Sequence, residues 1–244
     1  MEKRLCNNRF DLLNYLFIIC IIEYKYMAYN IHNYMVILNS CTIIATNRQF
    51  GKFTENWKTE LYKTMQIFPD FISTEEENSL IAEVDPYMKK LRYEFSHWDD
   101  AIHGYRETER RQWNEKNMEI LNKVREKAFP KGTGHLPLIH VLDLAAEGWI
   151  KPHIDSIRFC GEIIAGLSLL SDSVMRLTMA EDEKKYYQDF LLPRRSLYIM
   201  SGEARYKYNH EILKCAESYF QGQHIPKSRR ISIICRCEPK PDMK

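Results

Sequence analysis

The chain has 244 residues, 45% hydrophobic and 28% charged, which allows a packed core and excludes global disorder. Its 35 Lys and Arg against 33 Asp and Glu leave a net charge of +2, so no whole-chain field selects a polyanionic partner. The 7 cysteines are odd in number and form no CxxC pair, which points to free or buried thiols in a reducing compartment rather than a disulfide framework or a structural zinc site.

Asn7 to Asn47 is rich in Tyr, Ile, Asn and Met and almost uncharged. Its most apolar run, Leu12 to Ile22, is shorter than the roughly 20 residues a bilayer span needs, and no transmembrane segment is expected. An Arg- and Ser-rich amphipathic presequence is not visible either. An atypical targeting segment, an interfacial anchor and a mispredicted coding start compete, with the last preferred. Residues 1–67 are therefore expected to be an extension of little functional content, and residues 68–240 one domain.

Ser73 followed by Glu76 is a capping-box signature. Leu80, Ile81, Val84, Met88 and Leu91 then recur at helical spacing, and Pro86 is expected to kink or split that helix. The next stretch, "FSHWDDAIHGYRETERRQW", reads as a loop leading into a charged amphipathic helix. Trp98, His103, Tyr105, Arg106, Arg110 and Arg111 could stack a base and hold phosphates, but Asp99, Asp100, Glu107 and Glu109 repel a polyanion. Trp113, Ile120, Leu121, Val124 and Ala128 mark the second helix, which stops at Pro130. After a Gly- and Pro-bearing loop the period changes to two, in "IHVLDL", "GLSLL", "VMRLTM", "SLYIM" and "RISIICR". "GLSLLSDSVMRLTM" reads as a hairpin, and Ala180 to Lys185 as a solvated loop. Two helices followed by many short strands suggest helices packed on a β-sandwich or jelly roll.

His153 and Asp155, in "IKPHIDSIRFCG", are two apart and share one face if extended. The pair alone equally describes a hydrogen-bonded surface couple. An Fe(II) oxygenase site needs two histidines and a carboxylate with three positions left open, and His210 in "YKYNHEIL" is the best third ligand. His32, His97, His103, His135, His140 and His224 read as surface or packing residues. In "RISIICR", Arg230, Ser232, Ile234 and Arg236 share one face, and Ile231, Ile233 and Cys235 the other. That is either a solvent-facing basic edge or a buried anion grip for a small keto dicarboxylate. Tyr198 could donate to the same carboxylate, or be a core tyrosine.

The order HxD, distal His, then RxS and a second Arg resembles the AlkB-type Fe(II)/2-oxoglutarate dioxygenases. "HWDDAIHGYRETER", "HVLDL", "GWIKPHIDSIRFCG", "IAGLSLLSDSVMRL", "SLYIMSGEARY", "HEIL" and "RRISIICR" carry the likeness, roughly from Phe68 to Arg236. The resemblance implies a mostly β fold with α, a double-stranded β-helix (jelly roll) core with N-terminal flanking helices. It implies Fe(II) on His153, Asp155 and His210, and O2 as co-reactant. It implies 2-oxoglutarate on Tyr198, on Arg230, Ile231 and Ser232, and on Arg236, with Arg230 and Ser232 at the distal carboxylate and Arg236 nearer the metal. No catalytic residue beyond the metal ligands is expected.

The likeness is greatest to a mitochondrial branch in which much of the nucleotide-recognition lid is missing. It implies a monomer of the mitochondrial matrix acting on a protein substrate, linked to programmed necrosis and fatty-acid metabolism. Demethylation of methylated bases in mitochondrial tRNA is the alternative. A non-catalytic metal-binding interaction module is the other.

Overall fold

The structure is a computed structural model that describes residues 57–95, 100–182 and 186–239. The reading of residues 1–56, the position of Trp98, and the end of the charged run at 183–185 lie outside these residues. Trp57 begins a compact unit. The fold starts earlier than the expected Phe68: residues 57–64 are helical, and Leu61 and Met65 are buried in the core.

In chain order the elements are β1 (Met65–Phe68), α1 (Thr74–Met88), β2 (Ile102–Arg110), α2 (Glu115–Ala128), β3 (Ile139–His153), β4 (Ile164–Leu169), β5 (Ser173–Met179), β6 (Tyr187–Leu192), β7 (Ser196–Met200), α3 (Gly202–Tyr206), β8 (Tyr208–Ile212), β9 (Tyr219–Phe220), β10 (Gln223–His224) and β11 (Arg230–Arg236). Nine antiparallel strands follow the order β1-β7-β4-β11-β3-β8-β5-β6, with β2 on the side of β3. The sheet curls into a nearly closed barrel of jelly-roll type, with helices on one outer face, as expected.

The capping box forms: Ser73 Oγ accepts from Glu76 N at 3.1 Å, and Glu76 Oε2 accepts from Ser73 N at 2.7 Å. Pro86 does not split α1, which runs unbroken from Thr74 to Met88, because it falls in the last turn and removes an N–H just before the helix ends. Asn114 caps α2 through its side chain.

Period two sorts the central strands. Val141, Leu167, Leu197, Ile231 and Ile233 point to the helices and meet Leu80, Val84, Leu121 and Val124. Leu142, Leu144, Tyr198, Met200 and Ile234 point into the barrel. Both faces are buried, so each such aliphatic side chain stabilises by about 1.5–3 kcal/mol.

Two expectations fail. Residues 102–110 are a strand paired along β3, not a loop. Its inward positions are buried although its polar residues mask the alternation. β4 and β5 do not form a hairpin: β4 pairs with β7 and β11, and β5 with β6 and β8. Between them Leu170 takes a left-handed backbone (φ 74°) and donates its N–H to the buried Glu77 at 2.8 Å. The link therefore crosses from one half of the barrel to the other.

β3 joins those halves. Its first part pairs with β11 and β2, its last part with β8. The extra residues at the β2–β3 irregularity lie on β3: the partners step from Trp149 to Leu144 while β2 advances only from His103 to Tyr105, and Gly104 between them has φ +63° and lies against Gly148. A Cβ on Gly104 would sit 3.0 Å from Gly148 Cα, so neither strand can carry a side chain there. This redirection delivers the end of β3 to β8.

Candidate active site

His153 ends β3 and His210 is central in β8, and the two are direct register partners. Their ring centroids are 4.3 Å apart. Asp155 follows just past the strand, with Oδ1 at 3.3 Å from His153 Nε2 and 3.8 Å from His210 Nε2. The three ligand atoms lie within 4.8 Å of one another, and no other such group of His, Cys, Asp or Glu occurs among the described residues. His153 Nδ1 lies 2.9 Å from the Lys151 carbonyl, which can only accept. Nδ1 therefore carries a proton, and Nε2 faces the cluster. Burial and the neighbouring His153 push His210 down to about 3, so it is neutral near pH 7. Burial opposes the charge on Asp155, but His153, His210 and Arg236 together hold its carboxyl far below the usual range. Two imidazoles and one carboxylate are the donor set of a facial iron triad.

An inner cavity of about 80 Å³ adjoins the cluster. Arg230, Ser232, Ile234 and Arg236 all line it, as their shared strand face requires, and Tyr198 closes it from β7. Arg230 is 4% exposed; its Nε donates to Ser168 Oγ at 3.0 Å, while its Nη2 is buried without a partner. A buried guanidinium edge left open fits a ligand carboxylate. Desolvation lowers the Arg230 pKa and raises that of the Tyr198 phenol, which therefore stays a hydrogen-bond donor. Ile231 does not join this group. Its side chain is fully buried on the helix side of β11, because consecutive strand residues face opposite ways.

An outer cleft of about 740 Å³ opens onto His153, Asp155 and Arg236. Its wall carries Glu107 and Glu109 from β2, together with Ile154 and Phe159. Another groove, about 810 Å³, is lined by Trp57, Tyr62, Phe190 and Phe220, and none of the three clustered ligands reaches it.

Two contributors were not foreseen. Gly166 sits opposite Tyr198, where any Cβ would overlap the tyrosine ring. His140, read as a surface or packing residue, lines both the cleft and the inner cavity. The available signal was its parity in "IHVLDL": it shares the face of Leu142 and Leu144, and a polar group on a core-facing position is informative.

Residues 64–236 match the family model described as the 2OG-Fe(II) oxygenase superfamily. The chain is 51% identical over 172 residues to the alpha-ketoglutarate-dependent dioxygenase alkB homolog 7, mitochondrial, of Bos taurus, covering 70% of this chain and 77% of that one. It is 48% identical over 174 residues to the Mus musculus protein of the same name, covering 71% and 78%. Among solved structures, OsALKBH1 aligns with TM-score 0.53 at 10% identity, over 71% of this chain and 97% of that one. A Pseudomonas putida prolyl-4-hydroxylase aligns with TM-score 0.52 at 12% identity, over 72% and 93%. At such identities these two likenesses speak for the fold alone.

Proposed function

The chain belongs to the 2OG-Fe(II) oxygenase superfamily, in its AlkB branch, and from that premise we propose that His153, Asp155 and His210 hold the iron and that the cleft above them receives a polypeptide substrate. The protein is a 2-oxoglutarate-dependent dioxygenase, with Fe(II), 2-oxoglutarate and O2 as its cofactors. The observation that carries the site assignment is the convergence of three ligand atoms within 4.8 Å at the floor of the cleft.

When bound, iron with 2-oxoglutarate and O2 supplies the oxidation of a substrate C–H bond, with release of succinate and CO2. The chain's own residues bind, orient and exclude water. The Lys151 carbonyl fixes the His153 ring with Nε2 presented inward. Arg230, helped by Ser232 and Tyr198, takes the distal carboxylate of 2-oxoglutarate in a site walled by Leu142, Met175 and Ile212. Arg236, beside Asp155, takes the metal end of the cosubstrate.

A polypeptide substrate is favoured by the wall of the cleft. Glu107 and Glu109 put negative charge on the cleft wall, which disfavours a phosphate backbone, and Phe159, 72% exposed, offers an apolar contact in the same cleft. We place the protein in the mitochondrion, as the names of its bovine and murine relatives suggest, and take a monomer as the working unit. The link to programmed necrosis and fatty-acid metabolism rests on the family resemblance. Among the described residues no helix is long and apolar enough to cross a membrane.

Two measurements test the reading. Purified protein with Fe(II) and 2-oxoglutarate forms succinate, and the His153→Ala variant does not; full turnover by that variant would remove the metal assignment. Mitochondrial tRNA shows no tight, salt-sensitive binding; a steep fall of affinity with salt would instead establish a polyanion substrate.

A further inference from the structure

We propose that His140 and Glu107 form a positioning relay that sets the Arg236 guanidinium at the metal end of the cosubstrate site. The inference rests on the reading above that Arg236 meets 2-oxoglutarate there.

His140 Nδ1 lies 3.1 Å from Arg236 Nη2, and His140 Nε2 lies 2.8 Å from Glu107 Oε2. An arginine N–H donates and never accepts, so Nδ1 of His140 must carry the lone pair. The ring proton is then on Nε2, where the Glu107 carboxylate accepts it. Each link thus has one polarity: Arg236 donates to His140, and His140 donates to Glu107. The imidazole is held at both nitrogens and cannot turn without breaking both bonds.

The backbone explains how these residues meet. On β2 and β3, Glu109 is the register partner of His140 and Glu107 that of Leu142. Glu107 therefore reaches His140 across the diagonal, within range of long side chains on one sheet face. Arg236 comes from β11, on the other side of β3. His140 is the most buried of the three side chains at 12% exposure, against 35% for Glu107 and 23% for Arg236.

Arg236 needs such an anchor. Its Nε is buried without a hydrogen-bond partner and lies 3.9 Å from Asp155 Oδ2. With His140 gone, the bond that holds Nη2 away from Asp155 is lost, and the guanidinium can swing onto the carboxylate instead of facing the cavity. With His140 in place, one edge of the fork is committed and the other stays directed at the cosubstrate. Because Glu107 lines the outer cleft and Arg236 also lines the inner cavity, the relay runs from the substrate side to the cosubstrate side.

The test is a titration of 2-oxoglutarate into the Mn(II)-loaded full chain, followed by calorimetry without turnover. His140→Ala is expected to raise the dissociation constant about tenfold, the usual scale for an outer-shell partner. His140→Gln presents an amide oxygen to Arg236 and an amide N–H to Glu107, and is expected to restore binding to within roughly threefold of the native protein. Combining His140→Ala with Arg236→Ala should weaken binding no further than Arg236→Ala alone. If His140→Ala does not fold, Glu107→Ala, at the more exposed end, is expected to show a weakening of the same sign. Native affinity in the alanine variant that folds, with Arg236→Ala weakened, overturns the relay and leaves the role of Arg236 standing. Native affinity in Arg236→Ala overturns the cosubstrate reading itself, and the relay with it.

Discussion

His153 and His210 are paired across two antiparallel strands that are far apart in sequence, with ring centroids 4.3 Å apart. Strand register places the two side chains next to each other. His210→Ala should therefore abolish succinate formation and lower the bound iron measured by atomic absorption, with the circular dichroism spectrum unchanged. Iron content equal to that of the native protein would show that His210 is not a ligand.

Arg230, 4% exposed, offers its open edge to the small inner cavity. Removing one partner of a buried, hydrogen-bonded charge pair costs about 2–5 kcal/mol. Arg230→Ala should raise the KM for 2-oxoglutarate by at least about thirtyfold on that scale, while metal content stays native. Arg230→Lys should recover little, since an ammonium lacks the planar fork.

Gly166 is opposite Tyr198 in the β4–β7 ladder, with no room for a methyl group. Gly166→Ala should push the Tyr198 ring off its position and cost about 1–3 kcal/mol of stability as an overpacked core. Both a lower urea midpoint and a weaker 2-oxoglutarate affinity are expected. Loss of stability alone would show that Tyr198 does not touch the cosubstrate.

Asp143 is fully buried and accepts from Arg106 at 2.8 Å and from Arg229 at 2.7 Å, with Tyr93 at 3.1 Å. This cluster ties β2, β3 and the start of β11 together behind the site. Asp143→Ala leaves two guanidiniums without their shared carboxylate, and should destabilise by about 3–5 kcal/mol. Equilibrium denaturation measures it, and an unchanged midpoint would mean that water replaces the carboxylate.

Asp85 reports the same cluster through pH. Burial works against its charge, but hydrogen bonds from Arg229 and Lys89 hold its pKa below the ordinary value of 3.8. A depressed folded-state pKa gives stability that is complete above the unfolded value and lost as pH falls through the folded one. Asp85→Asn should therefore flatten the fall in melting temperature below about pH 4 and leave its slope above pH 5 unchanged. An identical acid limb in the variant would remove Asp85 from the linkage.

The sequence alone was enough for features set by local geometry. The Ser73 cap needs only residues three apart, and the two faces of Arg230–Arg236 follow from the pleat of one strand. The same parity predicts His153 beside Asp155, and the two are neighbours although Asp155 lies just past the strand end, while the role of the pair is what the likeness to known oxygenases implies. What the sequence did not carry was pairing at a distance. β2 was missed because its charged residues serve a buried network and a cleft wall, which hides the alternation that marks a strand. The supposed hairpin failed because the turn after β4 crosses between halves of the barrel. Only the folded sheet decides which strand lies beside which, since long-range register depends on the whole hydrophobic pattern and not on any single turn. That register brings His210 to His153, Gly166 to Tyr198, and Glu107 through His140 to Arg236.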